Sequence, residues 1–173
     1  MTALQDIQLK RIDGGGDTLA AHKGKVLLIV NVASKCGLTP QYAGLEKLFE
    51  DKNGAGLEVL GFPANNFLGQ EPGSDAEIAD FCQSTYAVQF PMYAKISVAG
   101  ADQHPLYAAL IAAQPAATGE GPMRGRLARK NLASSAPDIL WNFEKFIVGR
   151  NGAVVARFSP DVAADDPRLA SVI

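Results

Sequence analysis

The stretch Val26–Gln41, VLLIVNVASKCGLTPQ, constrains this chain more than any other. Val26-Leu27-Leu28-Ile29-Val30 is a continuous apolar run rich in β-branched residues and without alternation. That is the pattern of a central strand covered on both faces. From Asn31 to Lys35 the residues turn polar and small, as at the exit from a sheet. Thr39-Pro40 then reads as a helix start, with the threonine hydroxyl as cap and proline at the first helical position. Cys36 is therefore expected at the C-terminal end of a central strand, just ahead of a helix N-terminus. The helix dipole, free N–H groups and the charge of Lys35 would all favour a thiolate there. A cysteine in such surroundings can also be inert packing. Its place beyond the apolar run, between Lys35 and Gly37, favours the reactive thiol.

Several function classes are excluded by composition and charge. The formal charge of −2 and pI near 5.7 leave no electrostatic footprint for nucleic acid or an anionic membrane. No apolar run approaches the roughly 20 residues of a membrane span. The N-terminus MTALQDIQLKR lacks the basic and apolar regions of a secretory signal. Two cysteines 46 positions apart and two histidines give no metal-ligand spacing, and no cofactor motif is present. A cytoplasmic location is expected, where such a cysteine pair serves redox chemistry more often than a structural disulfide. At 173 residues, one domain over 1–173 is expected.

Taken in order, Asp6–Ile12 alternates and reads as a strand that Asp13–Asp17 turns into a short partner ending near Leu19, an N-terminal hairpin. The central strand leads to a helix over 40–52, with Leu45, Leu48 and Phe49 on one face, and Leu57–Phe62 is the next strand. Residues 24–62 thus form a parallel β-α-β unit. An amide-rich loop over 63–73 precedes Ser74 and Glu77, a capping box for a helix through Thr85. The pattern predicts a strand over 90–98 and a short helix opened by His104-Pro105. His22 and His104 are assigned surface or capping roles. Pro115–Pro137 shows no clear order and carries the cations Arg124, Arg126, Arg129 and Lys130. Strands over 141–148 and 153–158 flank Asn151-Gly152, which suits a type I′ turn. A last helix follows Pro167. This order describes an α/β, thioredoxin-like fold: a central mixed sheet flanked by helices, with an N-terminal hairpin.

In a dithiol exchanger on that fold the turn would read C-x-x-C. Here Cys36-Gly37-Leu38-Thr39 has threonine in the second position. A lone thiolate must react with an oxidant or form a mixed disulfide.

Three blocks, NVASKCGLT at 31–39, GFPANNFLGQEPG at 61–73 and WNFEKFIVGRNG at 141–152, resemble the signature blocks of glutathione peroxidases. The resemblance runs from about residue 5 to residue 168. It implies a cysteine-type, selenium-free thiol peroxidase that reduces hydrogen peroxide and organic hydroperoxides through a Cys36 sulfenic acid. It also implies that Gln70, Trp141 and Asn142 complete the catalytic set as uncharged donors. Asn66 departs from the glutamine common in the family, and Ala64 stands where many cysteine-type members carry a third cysteine. Cys82 aligns with the resolving cysteine of thioredoxin-dependent members. It would form a disulfide with Cys36 after local unwinding of its helix, although its spacing from Ile78 also fits plain packing. Thioredoxin is then the expected reductant. Glutathione is the alternative, and its carboxylates would need cations such as Arg124, Arg126, Arg129 and Lys130. Oligomeric state stays open. A peroxide sensor relaying oxidation to a partner, or a non-catalytic binding protein on the same fold, are the other readings.

Overall fold

The computed structural model describes residues 3–173. Its centre is a four-stranded mixed sheet in the order β4-β3-β5-β6, formed by β3 (Val26–Val32), β4 (Leu57–Pro63), β5 (Lys145–Val148) and β6 (Val154–Phe158). β3 runs parallel to β4 and antiparallel to β5. Every residue of β3 and β4 is buried, which is why these strands read as unbroken apolar runs rather than alternating ones. A separate two-stranded ribbon, β1 (Leu9–Lys10) with β2 (Gly16–Asp17), is the N-terminal hairpin, shorter than the alternating sequence suggested.

Helix α1 (Gln41–Lys52) is the crossover between β3 and β4. α2 (Asp75–Tyr86) carries the expected capping box, with the Ser74 hydroxyl accepting from the Glu77 N–H and the Glu77 carboxylate accepting from the Ser74 N–H. α1 and α2 meet through Tyr42, whose ring lies 5.4 Å from Tyr86 and 6.5 Å from Phe81 between centroids. α3 (Pro105–Ala113) starts at His104, whose ring caps the Leu106 N–H, and packs Tyr107 against Phe62 and Phe146. α5 (Pro167–Ala170) closes the chain. Among the described residues no helix is long and apolar enough to cross a membrane.

Four element assignments need correction. Residues 90–98 form isolated bridges rather than a strand, Met92 to Gly61 and Ile96 to Ala64, with Tyr93 bridging Arg11. Pro91 has no N–H to give, and the Lys95 N–H is taken by the Asp75 carboxylate, so no continuous ladder can form. The segment still packs tightly on β4: a Cβ on Gly61 would meet Met92 Sδ at 2.6 Å. The stretch 115–137 is not structureless, because it holds α4 (Gly121–Ala128). Met123 and Leu127, four apart, bury one face of α4, and Glu120 pairs with Arg124 at 3.2 Å.

The hairpin around Asn151-Gly152 is present but is not a type I′ turn. Only Gly152 has positive φ, and the Gly149 and Ala153 backbone closes a longer loop. A register shift between Ile147 and Val148 absorbs the extra residue. β5 begins at Lys145 and not at Trp141, because Phe143 adopts φ +69° and turns the chain out of the ladder.

Candidate active site

The C-terminal ends of β3 and β4 and the turn before β5 meet at one place. Beyond Val32 the chain makes a tight loop, and Thr39 closes it. The Thr39 hydroxyl accepts the Cys36 N–H at 2.9 Å and donates to the Ala33 carbonyl at 2.8 Å. The Thr39 N–H donates to the Cys36 carbonyl at 3.0 Å. Thr39 is thus a strap across the cysteine loop and not the helix cap expected of it; α1 starts after Pro40 with no side-chain cap. Within this loop the Leu38 N–H donates to Cys36 Sγ at 3.3 Å, and the cysteine is buried with 9% of its surface exposed. The helix N-terminus is five residues away, so the nearest backbone donor to the sulfur comes from the loop itself.

Gln70 is delivered by the loop after β4. Leu68 and Gly69, both at positive φ, turn this loop sharply, and Asn65 Oδ1 holds it by accepting the Glu71 N–H at 2.8 Å. The Gln70 carbonyl accepts the Lys35 N–H at 3.0 Å, which ties this loop to the residue next to Cys36.

Trp141 and Asn142 come from the turn before β5. Asn31 Nδ2 donates to the Trp141 carbonyl at 3.1 Å, and the Asn31 carbonyl accepts the Phe143 N–H at 2.6 Å. The end of β3 therefore holds both the cysteine loop and this turn. The Trp141 ring lies 5.3 Å from that of Phe67, and Asn142, wholly buried, donates from Nδ2 to Gln70 Oε1 at 2.9 Å. With its carbonyl engaged, the Gln70 amide turns its N–H2 away from Asn142, available as a donor.

Cys82 comes from a different element, α2. It is 2% exposed and, like Cys36, is a free thiol. Burial and the charge of Glu71 push its thiol above the ordinary range, against the opposing effect of the Tyr42 hydroxyl. A protonated thiol in a formed helix is a weak nucleophile. Glu71, also buried, is itself raised by burial although Ser34, Lys95 and Lys35 act to lower it.

Sequence reasoning missed some residues. Asn31, which braces the Trp141 turn, was visible only as a polar residue ending an apolar strand. Lys145 is wholly buried, and its Nζ donates to the Phe143 and Pro160 carbonyls at 2.6 and 3.0 Å. A charge inside the apolar run around Phe146 was the available signal. His22 is not on the surface. It is buried with Nε2 3.0 Å from Asp17 Oδ2, an oxygen that also accepts from the Tyr93 hydroxyl at 2.5 Å. Of the basic cluster, Arg124 donates to the Ser134 carbonyl at 2.6 Å and Arg126 pairs with Asp161 at 3.1 Å.

Comparison with known proteins follows the same lines. The family model described as glutathione peroxidase matches residues 4–111. The chain is 55% identical over 162 residues to the thioredoxin/glutathione peroxidase BtuE of Escherichia coli, covering 92% of this chain and 88% of that protein. It is 45% identical over 163 residues to the hydroperoxy fatty acid reductase gpx1 of Synechocystis, covering 91% of this chain and 90% of that one. Among solved structures, T. cruzi GPX1 is similar with a TM-score of 0.69 and 33% identity, over 99% of this chain and 96% of its own.

Proposed function

The chain belongs to the glutathione peroxidase family, and we propose that its chemistry is carried by Cys36 with Gln70, Trp141 and Asn142. It is a thiol peroxidase that reduces hydroperoxides, on a thioredoxin-like fold. In the first step the Cys36 thiolate attacks one peroxide oxygen and the O–O bond breaks. The products are a Cys36 sulfenic acid and an alkoxide or hydroxide, which leaves as alcohol or water after taking a proton. Developing charge on the leaving oxygen needs donors fixed beforehand. The amides of Gln70 and Asn142 and the indole N–H of Trp141 are donors whose protonation does not vary with pH. The observation that carries this reading is the Asn142–Gln70 contact at 2.9 Å in a loop strapped to Lys35, next to Cys36.

Cys82 is the resolving residue in this proposal. Its thiolate attacks the Cys36 sulfenic sulfur, the S–O bond breaks, and the hydroxide released takes a proton to become water. Its burial in α2 means that the helix must open locally first. Thioredoxin then reduces the disulfide by thiol exchange. This choice of reductant rests on the second cysteine; of the basic cluster, Arg124 and Arg126 pair within the fold while Arg129 and Lys130 are exposed at the end of α4. The protein acts in the cytoplasm as a single domain over 1–173, where thioredoxin and its reductase keep both cysteines cycling.

The test is a coupled assay with thioredoxin, thioredoxin reductase and NADPH against glutathione, across hydrogen peroxide, cumene hydroperoxide and a lipid hydroperoxide. C36S should abolish turnover with every peroxide. C82S should retain one round of oxidation and lose sustained thioredoxin-driven turnover. Undiminished turnover by C82S, or preference for glutathione, would remove Cys82 and thioredoxin from the scheme.

A further inference from the structure

Lys145 is the most completely buried cation in the sheet, and its place is unusual. It opens β5, paired with Val30 on one side and Phe158 on the other, directly after the turn that carries Trp141 and Asn142. Its ammonium has two close acceptors, both backbone carbonyls: Phe143 at 2.6 Å and Pro160 at 3.0 Å. The carboxylates that face it are engaged elsewhere. Glu144, the residue just before β5, accepts from Arg157 Nε of β6 at 2.6 Å and from the Leu140 N–H. Asp161, from the segment after β6, accepts from the Ser159 hydroxyl at 2.7 Å and pairs with Arg126 of α4. Burying an ammonium without a dedicated carboxylate is costly, and an apolar chain of the same length would fill the space more cheaply. The carbonyls it holds therefore define what the lysine does.

One of them belongs to Phe143, a non-glycine residue at φ +69°. Such a conformation persists only where the surroundings over-determine it. Here the Phe143 N–H is held by the Asn31 carbonyl and the Phe143 carbonyl by Lys145. The direction of Asn142 toward Gln70 depends on that conformation, since the two residues share a peptide. We propose that Lys145 is a positioning residue, an ammonium clamp that holds the Trp141–Phe143 turn against the Pro160 segment and so fixes the Trp141 and Asn142 donors. The proposal rests on the reading of those two side chains as peroxide-step donors.

Burial brings Lys145 down to about 7, although Asp161 and Glu144 act to raise it. Both protonation states can donate to the two carbonyls, but the charged form makes the shorter and stronger bonds. The clamp therefore tightens as pH falls through about 7 and loosens above it.

Trp141 is the single tryptophan of the chain, so its emission reports on this turn. The first measurement is Trp141 fluorescence against pH in C36S, a background that removes the reactive thiol. A transition near pH 7 is expected, absent from both C36S/K145M and C36S/K145R. No transition in C36S, or the same transition in both double variants, overturns the clamp. The second is the stopped-flow rate constant for Cys36 oxidation. K145M should lose roughly 10- to 100-fold, the cost of misplacing donors by about 1 Å. K145R, which keeps a permanently charged donor, should recover part of that rate with a flattened pH profile. A wild-type rate in K145M overturns the proposal. If K145M does not fold, the C36S titration and the K145R profile decide. A protein that reduces no peroxide would fail the assignment of the site, while the fluorescence titration would still judge the clamp.

Discussion

Asn142 and Gln70, 72 positions apart in sequence, meet through one hydrogen bond of 2.9 Å, from Asn142 Nδ2 to Gln70 Oε1. That bond sets which end of the glutamine amide is free, and so turns a loop side chain into an oriented donor.

Asn142→Asp tests this orientation. The carboxylate keeps the shape but offers oxygen to oxygen, so Gln70 must rotate and present its N–H2 to residue 142. The rate constant of Cys36 oxidation, followed by stopped flow, should fall roughly 10²-fold, the usual loss of one preorganised donor. A rate within a factor of about two of wild type would show that the amide pair has no part in the peroxide step.

Thr39→Val removes the strap while keeping the side-chain shape. The Cys36 N–H loses its acceptor and the Ala33 carbonyl its donor, both in a buried loop. Unsatisfied buried groups of this kind cost about 1–3 kcal/mol, which should appear as a lower midpoint in urea. Thr39→Ser keeps the hydroxyl and should recover most of the loss. Equal stability of the valine and serine variants would contradict the strap.

Asp17 gives the protein a pH dependence away from the active site. Burial acts to raise its carboxyl, but hydrogen bonds from Tyr93, His22 and the Thr18 N–H outweigh it, and the folded-state value lies below the ordinary one. The unfolded chain therefore binds the proton first as pH falls. The stabilisation from Asp17 is present above the ordinary carboxylate range and is lost as pH drops through the folded value. Asp17→Asn should be less stable at neutral pH, by about 1–3 kcal/mol for breaking a charged hydrogen-bond cluster. The gap to wild type should narrow as both are acidified. Melting temperatures against pH for the two proteins measure it; a constant gap would mean that the carboxylate charge is not what Tyr93 and His22 recognise.

The strands β3 and β4, the capping box of α2 and the cysteine loop were legible because each is a local pattern: an unbroken apolar run, Ser74 with Glu77, a thiol between polar neighbours. The assignment of Gln70, Trp141 and Asn142 to one site with Cys36 came from family resemblance and from the way loops of a parallel-sheet fold can converge, because the contacts that join those loops, such as Asn31 to Trp141 across 110 positions, lie outside any local window. Residues 90–98 misled because their apolar alternation is real, yet Pro91 and the Asp75 acceptor deny them a ladder. α4 escaped notice because Gly121, Pro122 and Gly125 hide a helix whose buried face has only Met123 and Leu127. His22 and Lys145 are polar residues that each pair one local partner, Asp17 and the Phe143 carbonyl, with one from farther along the chain, Tyr93 and the Pro160 carbonyl, and a local window shows neither the distant partner nor the burial.

The resolving step offers a prediction that separates helix opening from peroxide chemistry. Cys82 lies between Ile78 and Tyr86 in a helix whose N-terminus is secured by Ser74 and Glu77. If the helix must open before Cys82 can meet Cys36, weakening that cap should speed disulfide formation. Ser74→Ala removes a cap worth about 1 kcal/mol, which raises the population of opened helix roughly fivefold. The sulfenic acid should form at the wild-type rate, since the capping box makes no contact with Gln70, Trp141 or Asn142. Its condensation with Cys82, followed by loss of free thiol after a single peroxide pulse, should be up to fivefold faster. A Ser74→Ala variant whose condensation is unchanged or slower would mean that Cys82 reaches Cys36 without opening α2 from its N-terminal end, and the resolving pathway would have to be redrawn around the Tyr86–Val88 end of the helix.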